Sequence, residues 1–393
     1  MQALLTVLGL GTFGIYTEMI IISCITIGII KVKKNENITK FNYINFLLLL
    51  AFTVTYSIIM YFYNKFSLSF LIVPWIAYYL GSLISNEEKN EKYILAIALG
   101  FMIHALLNFV YSMWVGNISD RNTLDVWNGQ ISSATLQGLL LVMYFSSLYY
   151  IITYIKNAKQ KIAMLVIFFV GIIYNLIIAT RTTLLITMIV FVAAFLLDYF
   201  ISKDKERLKK HAKRIIICIL IGIIVIGILY ITNIFGIGDK INESQLVKRL
   251  TNLSETNYSN NVRFLALKDS MAQIFKYPLG GYQMELVGIS YVHNLWLDVN
   301  YSAGIIPFAF IVMFTTLTIR NLIIFLKNKE RNISYKILVF SVYLGVLINF
   351  AVEPIIEGAP YSFIMFCLIN GMIDQAVLKE KGKGEENENI MDS

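Results

Sequence analysis

The apolar residues of this chain arrive in unbroken blocks of roughly twenty, and that pattern constrains its fold more than any other feature. A helix rises about 1.5 Å per residue, so such a block crosses a bilayer core of about 30 Å. Within hydrocarbon the backbone polar groups must be satisfied inside the protein, which leaves helices or a closed barrel. The runs are continuous and do not alternate, which excludes a β-barrel. Composition agrees: the 393 residues are 57% hydrophobic and 15% charged, with mean hydropathy +0.67, whereas soluble domains carry about 25% charged residues. The sequence predicts an all-α polytopic integral membrane protein.

The blocks lie at 8–30, 43–62, 67–85, 93–115, 131–155, 162–180, 182–201, 215–236, 303–326, 336–352 and 360–378, about eleven spans within a range of ten to twelve. Residues 1–378 form one membrane domain, and the polar segment 379–393 is expected to be a disordered tail. Alternate connections differ in charge. One set holds Lys31, Lys33, Lys34, Lys40, Lys89, Lys92, Lys156, Lys159, Lys161, the cluster Lys203–Arg214, the stretch Arg320–Lys336 and the tail, and carries 24 of the 33 basic residues. The positive-inside rule makes that set and the C-terminus cytoplasmic, and an odd span count puts the N-terminus outside. The net charge of +8 is then a topology signal, with the Lys203–Arg214 cluster on anionic lipid and no call for nucleic acid as a partner. The first apolar run has no basic residues before it and no small-residue cleavage site, so it reads as a retained span. Cys24, Cys218 and Cys367 all fall inside apolar blocks as small buried hydrophobes, and no Cys/His spacing implies a metal.

Two outer connections are long. Residues 116–130 form a polar link, and residues 237–302 form the one large extracytoplasmic loop. Order is expected within that loop. Leu246–Leu253 can make two helical turns. Asn261–Phe275 spaces Phe264, Leu267, Met271 and Ile274 or Phe275 as an amphipathic helix suited to the membrane surface, with Asn260 or Asn261 as N-cap. Tyr277-Pro278-Leu279-Gly280-Gly281 then reads as a turn.

The chain has three histidines. His293 stands at the end of the large loop, where membrane meets water, and imidazole is the side chain most readily set to move a proton near neutral pH. His104 and Glu18 fall inside predicted spans, where a satisfied structural role is expected. Arg181 is placed in the outer turn between two spans, against the charge bias. It either punctuates the hairpin or grips a phosphate with its planar fork. Arg263 opens the loop helix in a loop of balanced charge, so any anion site there must come from particular residues. Glu353 and Glu357 share an outer turn and either line an outer cavity or are solvated.

In this order the features resemble the O-antigen ligase and polymerase superfamily of bacterial membrane glycosyltransferases. Ala179-Thr180-Arg181-Thr182-Thr183-Leu184-Leu185 is similar to the family's segment of small residues and arginine before a span. Asn261-Val262-Arg263 through Ser270, with the Pro278-Leu279-Gly280-Gly281 turn, is similar to its loop helix and turn. His293-Asn294, nine residues and Gly304 match the ligase pattern, which continues with a glycine where this chain has Pro307.

The resemblance covers roughly residues 160–330 by motif and the N-terminal half by hydropathy. It implies transfer of a glycan from a polyprenyl pyrophosphate donor to an acceptor hydroxyl at the outer leaflet, with no cofactor and no metal. His293 would be the catalytic base and Arg181 and Arg263 the pyrophosphate clamp, with Asn294, Asp298 and Gly304 in support. Asn294 or Asp298 would orient the imidazole. Pro307 and an Ile/Lys/Asn-rich composition favour a capsule, exopolysaccharide or O-antigen polymerase, whose acceptor is another lipid-linked repeat. Ligase transfer to an acceptor such as lipid A core remains the alternative, and a lipid-linked oligosaccharide flippase is a third reading. A separate flippase and a chain-length regulator are the protein partners implied.

Overall fold

The computed structural model describes residues 42–83, 87–116, 122–126, 129, 131–202, 205–233, 239 and 262–391. The expected span 8–30 with Glu18 and Cys24, the segment Leu246–Leu253 and the caps Asn260 and Asn261 lie outside them. In chain order the elements are α1 (Tyr43–Phe62), α2 (Leu68–Leu83), α3 (Glu87–Val115), β1 (Asn122–Leu124), β2 (Ile131–Ser133), α4 (Ala134–Phe145), α5 (Leu148–Thr153), α6 (Ala158–Ile178), α7 (Arg181–Ile201) and α8 (Lys205–Thr232). They continue with α9 (Val262–Gln273), α10 (Leu295–Ala303), α11 (Ile305–Lys327), α12 (Ile333–Val352), α13 (Ile355–Gly358) and α14 (Pro360–Met391).

Among the described residues nine helical stretches are long and apolar enough to cross a membrane, with α4 and α5 counted as one, and the 16-residue α2 is a shorter tenth. This is an all-α, multi-pass membrane architecture. Several starts are written locally: the side chains of Asn42, Ser133, Asn157 and Asn332 each accept from a backbone N–H of the first turn that follows.

Three features depart from the sequence expectation. The span at 131–155 is broken at Ser146–Ser147; Gly345 of α12 packs so closely there that a Cβ would lie 2.0 Å from Ser146 Oγ. The link 116–130 contributes a strand, Asn122–Leu124, that pairs antiparallel with Ile131–Ser133, the first residues of the expected span 131–155. Its descending strand is held along one face of α3: Leu124 N–H donates to Ser112 Oγ (2.7 Å), Val126 N–H to Asn108 Oδ1 (2.9 Å), and Asp125 meets His104 Nε2 (3.2 Å). Residues 104, 108 and 112 share a face at i, i+4, i+8, so one helix face supplies partners for two backbone N–H groups of non-helical chain. Finally, α14 runs on to Met391 through most of the expected tail.

Without a hydrophobic drive between helices in lipid, close packing and buried polar contacts hold the bundle. The tightest crossing is α2 on α14, where Gly81 approaches the Leu368 carbonyl and Gly371 the Tyr78 carbonyl; a Cβ on either would sit about 2 Å from that oxygen. Beside it Asp374 is buried and accepts from Asn42 Nδ2 (3.1 Å), Asn45 Nδ2 (2.6 Å), Asn321 Nδ2 (2.6 Å) and the Tyr78 hydroxyl, tying α1, α2, α11 and α14 together. The basic cluster of α8 bonds inward. Asp198, fully buried, accepts from Tyr149 (2.7 Å) and Arg207 (2.9 Å) and meets His211 (3.1 Å), while Arg214 donates to the Thr153 carbonyl.

Candidate functional site

The site forms at the end of the bundle where α4, α7 and α14 begin and α6 and α12 finish. Helix α6 stops at Ala179, which takes a left-handed conformation (φ 57°, ψ 45°). That is unusual for a residue with a Cβ and reverses the chain within two residues. The Thr180 hydroxyl donates to Asn175 Oδ1 and so does not cap α7, and Arg181 is the first helical residue. Gly138 lets α4 close on this turn, its Cα face 2.6 Å, as a Cβ would measure it, from Thr183 Oγ1. A cation at a helix N-terminus adds to the positive end of the helix dipole. Among the described residues no carboxylate forms an ion pair with Arg181.

The second arginine arrives on the loop helix. The expected Asn261–Phe275 helix is α9, Val262–Gln273. Leu267 and Ile274 pack on Met284, Val292, Leu297 and Tyr301, while Phe264, Met271 and Phe275 are exposed. Arg263 NH1 lies 3.4 Å from Glu353 Oε1. The turn after α9 forms as expected, with Gly280 and Gly281 at φ 67° and 73°. It docks on the α10–α11 junction: Gly281 N–H donates to Ser302 O (2.8 Å), Tyr282 N–H to Tyr301 O (3.0 Å) and Ile305 N–H to Pro278 O (2.9 Å). Gly304 at that junction has φ 83° and ψ −173°. The two glycine motifs of the sequence are therefore two faces of one contact. Pro307 falls in the first turn of α11, where a missing N–H costs little.

His293 immediately precedes this unit. Asn294 caps α10 by accepting from Leu297 N–H (3.1 Å), and its Nδ2 donates to Ala351 O (3.2 Å). Asp298 Oδ1 accepts from Val292 N–H (3.1 Å). These side chains fix the backbone on both sides of His293. The carboxylate on the imidazole is Glu353, whose Oε2 lies 3.0 Å from Nδ1, so the orienting role expected of Asn294 or Asp298 falls to a residue sixty positions away. Pro354 explains its placement: the residue before proline is driven to extended backbone, and Glu353 ends α12 at φ −141°, ψ 151°. The side chains of His293 and Glu353 are 9% and 6% exposed, that of Arg263 48%.

These elements enclose a cavity of about 290 Å³ lined by Arg181, Arg263, Glu353, Asn349, Thr135 and Thr180–Thr183, with Gly138, Leu139 and Ala179. Four residues far apart in sequence thus meet: two arginines, a glutamate and, behind the glutamate, a histidine. An ionised carboxylate only accepts, so the contact with Glu353 is made by an Nδ1–H of His293. The cavity presents two arginines to an anion, with His293 held behind its glutamate wall. Among the described residues no group of three or more His, Cys, Asp or Glu is arranged to hold a metal ion.

Sequence reasoning placed Arg181, Arg263 and His293 but left Glu353 between two roles; the signal for it was a glutamate locked by a following proline at a span end. Glu357 lies in α13 beside it. The other two histidines also pair with carboxylates, His104 with Asp125 and His211 with Asp198. The sequence matches no family model and no curated protein.

Proposed function

We propose that the protein is a polysaccharide polymerase of the O-antigen ligase and polymerase type, a bacterial membrane glycosyltransferase. It would have about eleven spans, a cytoplasmic C-terminus and the 237–302 loop on the outer face. The observation that carries this reading is the convergence of Arg181 and Arg263 on one cavity whose third charged wall, Glu353, holds His293. Three weak sequence motifs, scattered over more than a hundred residues, meet in one place.

In the reaction the hydroxyl oxygen of a lipid-linked repeat attacks the anomeric carbon of a polyprenyl pyrophosphate-linked glycan. The new C–O bond forms as the bond to the pyrophosphate oxygen breaks, and the leaving group departs with the electron pair. Arg181 and Arg263 stabilise the charge that builds there, an effect of about 3 kcal/mol per well-placed donor. Nε2 of His293 takes the hydroxyl proton, worth about 10²–10⁴ in rate, and Glu353 balances the imidazolium. Displacement from the opposite face inverts the anomeric centre.

Purified protein in lipid nanodiscs, given a polyprenyl pyrophosphate-linked oligosaccharide, is expected to yield a ladder of products on a gel. A single transfer to a different acceptor would replace polymerase with ligase, and movement of the lipid without transfer would replace both with a flippase. Unchanged transfer by His293→Ala would remove the base assignment. Unchanged donor affinity in Arg181→Ala/Arg263→Ala would remove the clamp.

A further inference from the structure

Resting on that reading, we propose that Glu353 is a handover carboxylate: the anionic donor takes its place on Arg263, and Glu353 is thereby given over to His293. In the free protein its two oxygens are divided. Oε2 lies 3.0 Å from His293 Nδ1 and Oε1 lies 3.4 Å from Arg263 NH1. The two bonds differ in how readily they break. His293 and Glu353 are both nearly fully buried, and the backbone of each is fixed, by the Asn294–Asp298 contacts on one side and by Pro354 on the other. The Arg263 side chain is about half exposed, on a helix of the loop, so its contact with Glu353 is the more screened of the two.

Glu353 also lines the cavity with both arginines. An anion bridging Arg181 and Arg263 comes up against a carboxylate of like charge, an arrangement that is unfavourable while Arg263 stays on Glu353. Rotation of Arg263 onto the anion relieves it. The whole charge of Glu353 then faces the imidazole, where it balances the positive charge that appears when Nε2 accepts the acceptor's proton. Glu353 ends α12, at the negative end of the helix dipole, so an anion there is already disfavoured and needs a cationic partner. When Arg263 leaves, a protonated His293 supplies one. Donor binding thus makes His293 a better proton acceptor, and an empty clamp keeps it quiet.

Two measurements test the handover. The first is affinity for polyprenyl pyrophosphate without sugar, alongside single-turnover transfer, in the wild type, Glu353→Gln, Arg263→Gln and the double variant. Glutamine still accepts from Nδ1 but does not compete as an anion for Arg263. Glu353→Gln should bind the lipid about two- to fivefold more tightly, the size expected of a half-exposed ion pair, while transfer falls about 10²-fold. In the Arg263→Gln background the tightening should vanish. A purely structural glutamate would instead weaken binding and transfer together. Weaker or unchanged binding by Glu353→Gln, or tightening that survives loss of Arg263, overturns the handover.

The second measurement uses the unaltered protein. With only three histidines, ring-¹⁵N labelling gives few signals, and the Nδ1–H resonance of His293 should move as its bond to Glu353 strengthens on adding the lipid. An unmoved resonance with the lipid bound overturns the proposal. If the wild type does not bind polyprenyl pyrophosphate, or binds it equally without Arg181 and Arg263, the polymerase reading itself fails; arginine-dependent binding without the Glu353 effects removes the handover alone.

Discussion

Gly304→Ala tests whether the two glycine motifs act as one mechanical unit. Gly304 lies at φ 83° and ψ −173°, a region that only glycine enters freely; a side chain there costs about 2 kcal/mol in backbone strain. An added Cβ would also lie 2.3 Å from the Pro278 carbonyl oxygen and 2.6 Å from the Leu279 carbonyl carbon. Both are backbone atoms and cannot rotate away, so the turn must lift. Lifting it loses the three hydrogen bonds from Gly281, Tyr282 and Ile305, at about 1 kcal/mol each. The expected destabilisation is about 3–5 kcal/mol, a fall in melting temperature on the order of 5 °C. The effect should be local first. Hydrogen exchange should rise in 277–282 and at the start of α11, and transfer should fall about 10²-fold as α10 carries His293 off its position. Gly227→Ala is the control, since no atom lies within 4 Å of a Cβ there and its φ is ordinary for a helix; it should be neutral or slightly stabilising. A Gly304→Ala protein that melts and exchanges like the wild type would refute the docking of turn on junction.

Asp374→Ala leaves three asparagine amides and the Tyr78 hydroxyl facing an emptied site; a loss of about 3 kcal/mol or more is expected by thermal unfolding in detergent, with no change in donor affinity among the molecules that remain folded. Asn294→Ala removes the α10 cap and the tie to Ala351, so about 1 kcal/mol of stability should go together with a larger loss of transfer. Equal stability and activity would show that the cap does not hold His293. His211→Ala removes one partner of the buried Asp198 and should raise hydrogen exchange across 205–214 while leaving transfer within a few-fold of the wild type.

The spans were legible because their signal is strong and local: a block of apolar residues is long enough or it is not. Their ends were less so. Helix α8 begins at Lys205, ahead of the apolar block at 215, because Arg207 and His211 bond inward to Asp198 and a charged first turn is stabilised by contacts that hydropathy does not count. The break at Ser146–Ser147 was hidden for the opposite reason: both serines are small enough to pass inside an apolar run, and the close packing on Gly345 is a tertiary fact. The hairpin at 122–133 has too few residues for a period of two to register, and what holds it is the α3 face of His104, Asn108 and Ser112. In the site, Arg181 and His293 could be seen as single residues out of place. Glu353 could not be assigned a partner, because its hydrogen bond crosses sixty residues of sequence and is decided by how α12 and α10 pack.

All three histidines sit on carboxylates, so the pairing alone does not mark function. What separates His293 is the state of its partner. Asp198 has two further donors, Tyr149 and Arg207, and is fully buried, and Asp125 lies just past β1 between two backbone N–H groups that bond to α3. Neither carboxylate lines the cavity. Glu353 stands at the negative end of α12, Arg181 at the positive end of α7, and each is the charge that its helix dipole disfavours, by about 0.3–1 kcal/mol. A chain selected only for stability would do better with the two exchanged. Both line the same cavity, with Arg263, whose NH1 lies 3.4 Å from Glu353 Oε1. An anion settling on Arg181 and a cationic partner on Glu353 would each offset a charge that its helix dipole disfavours.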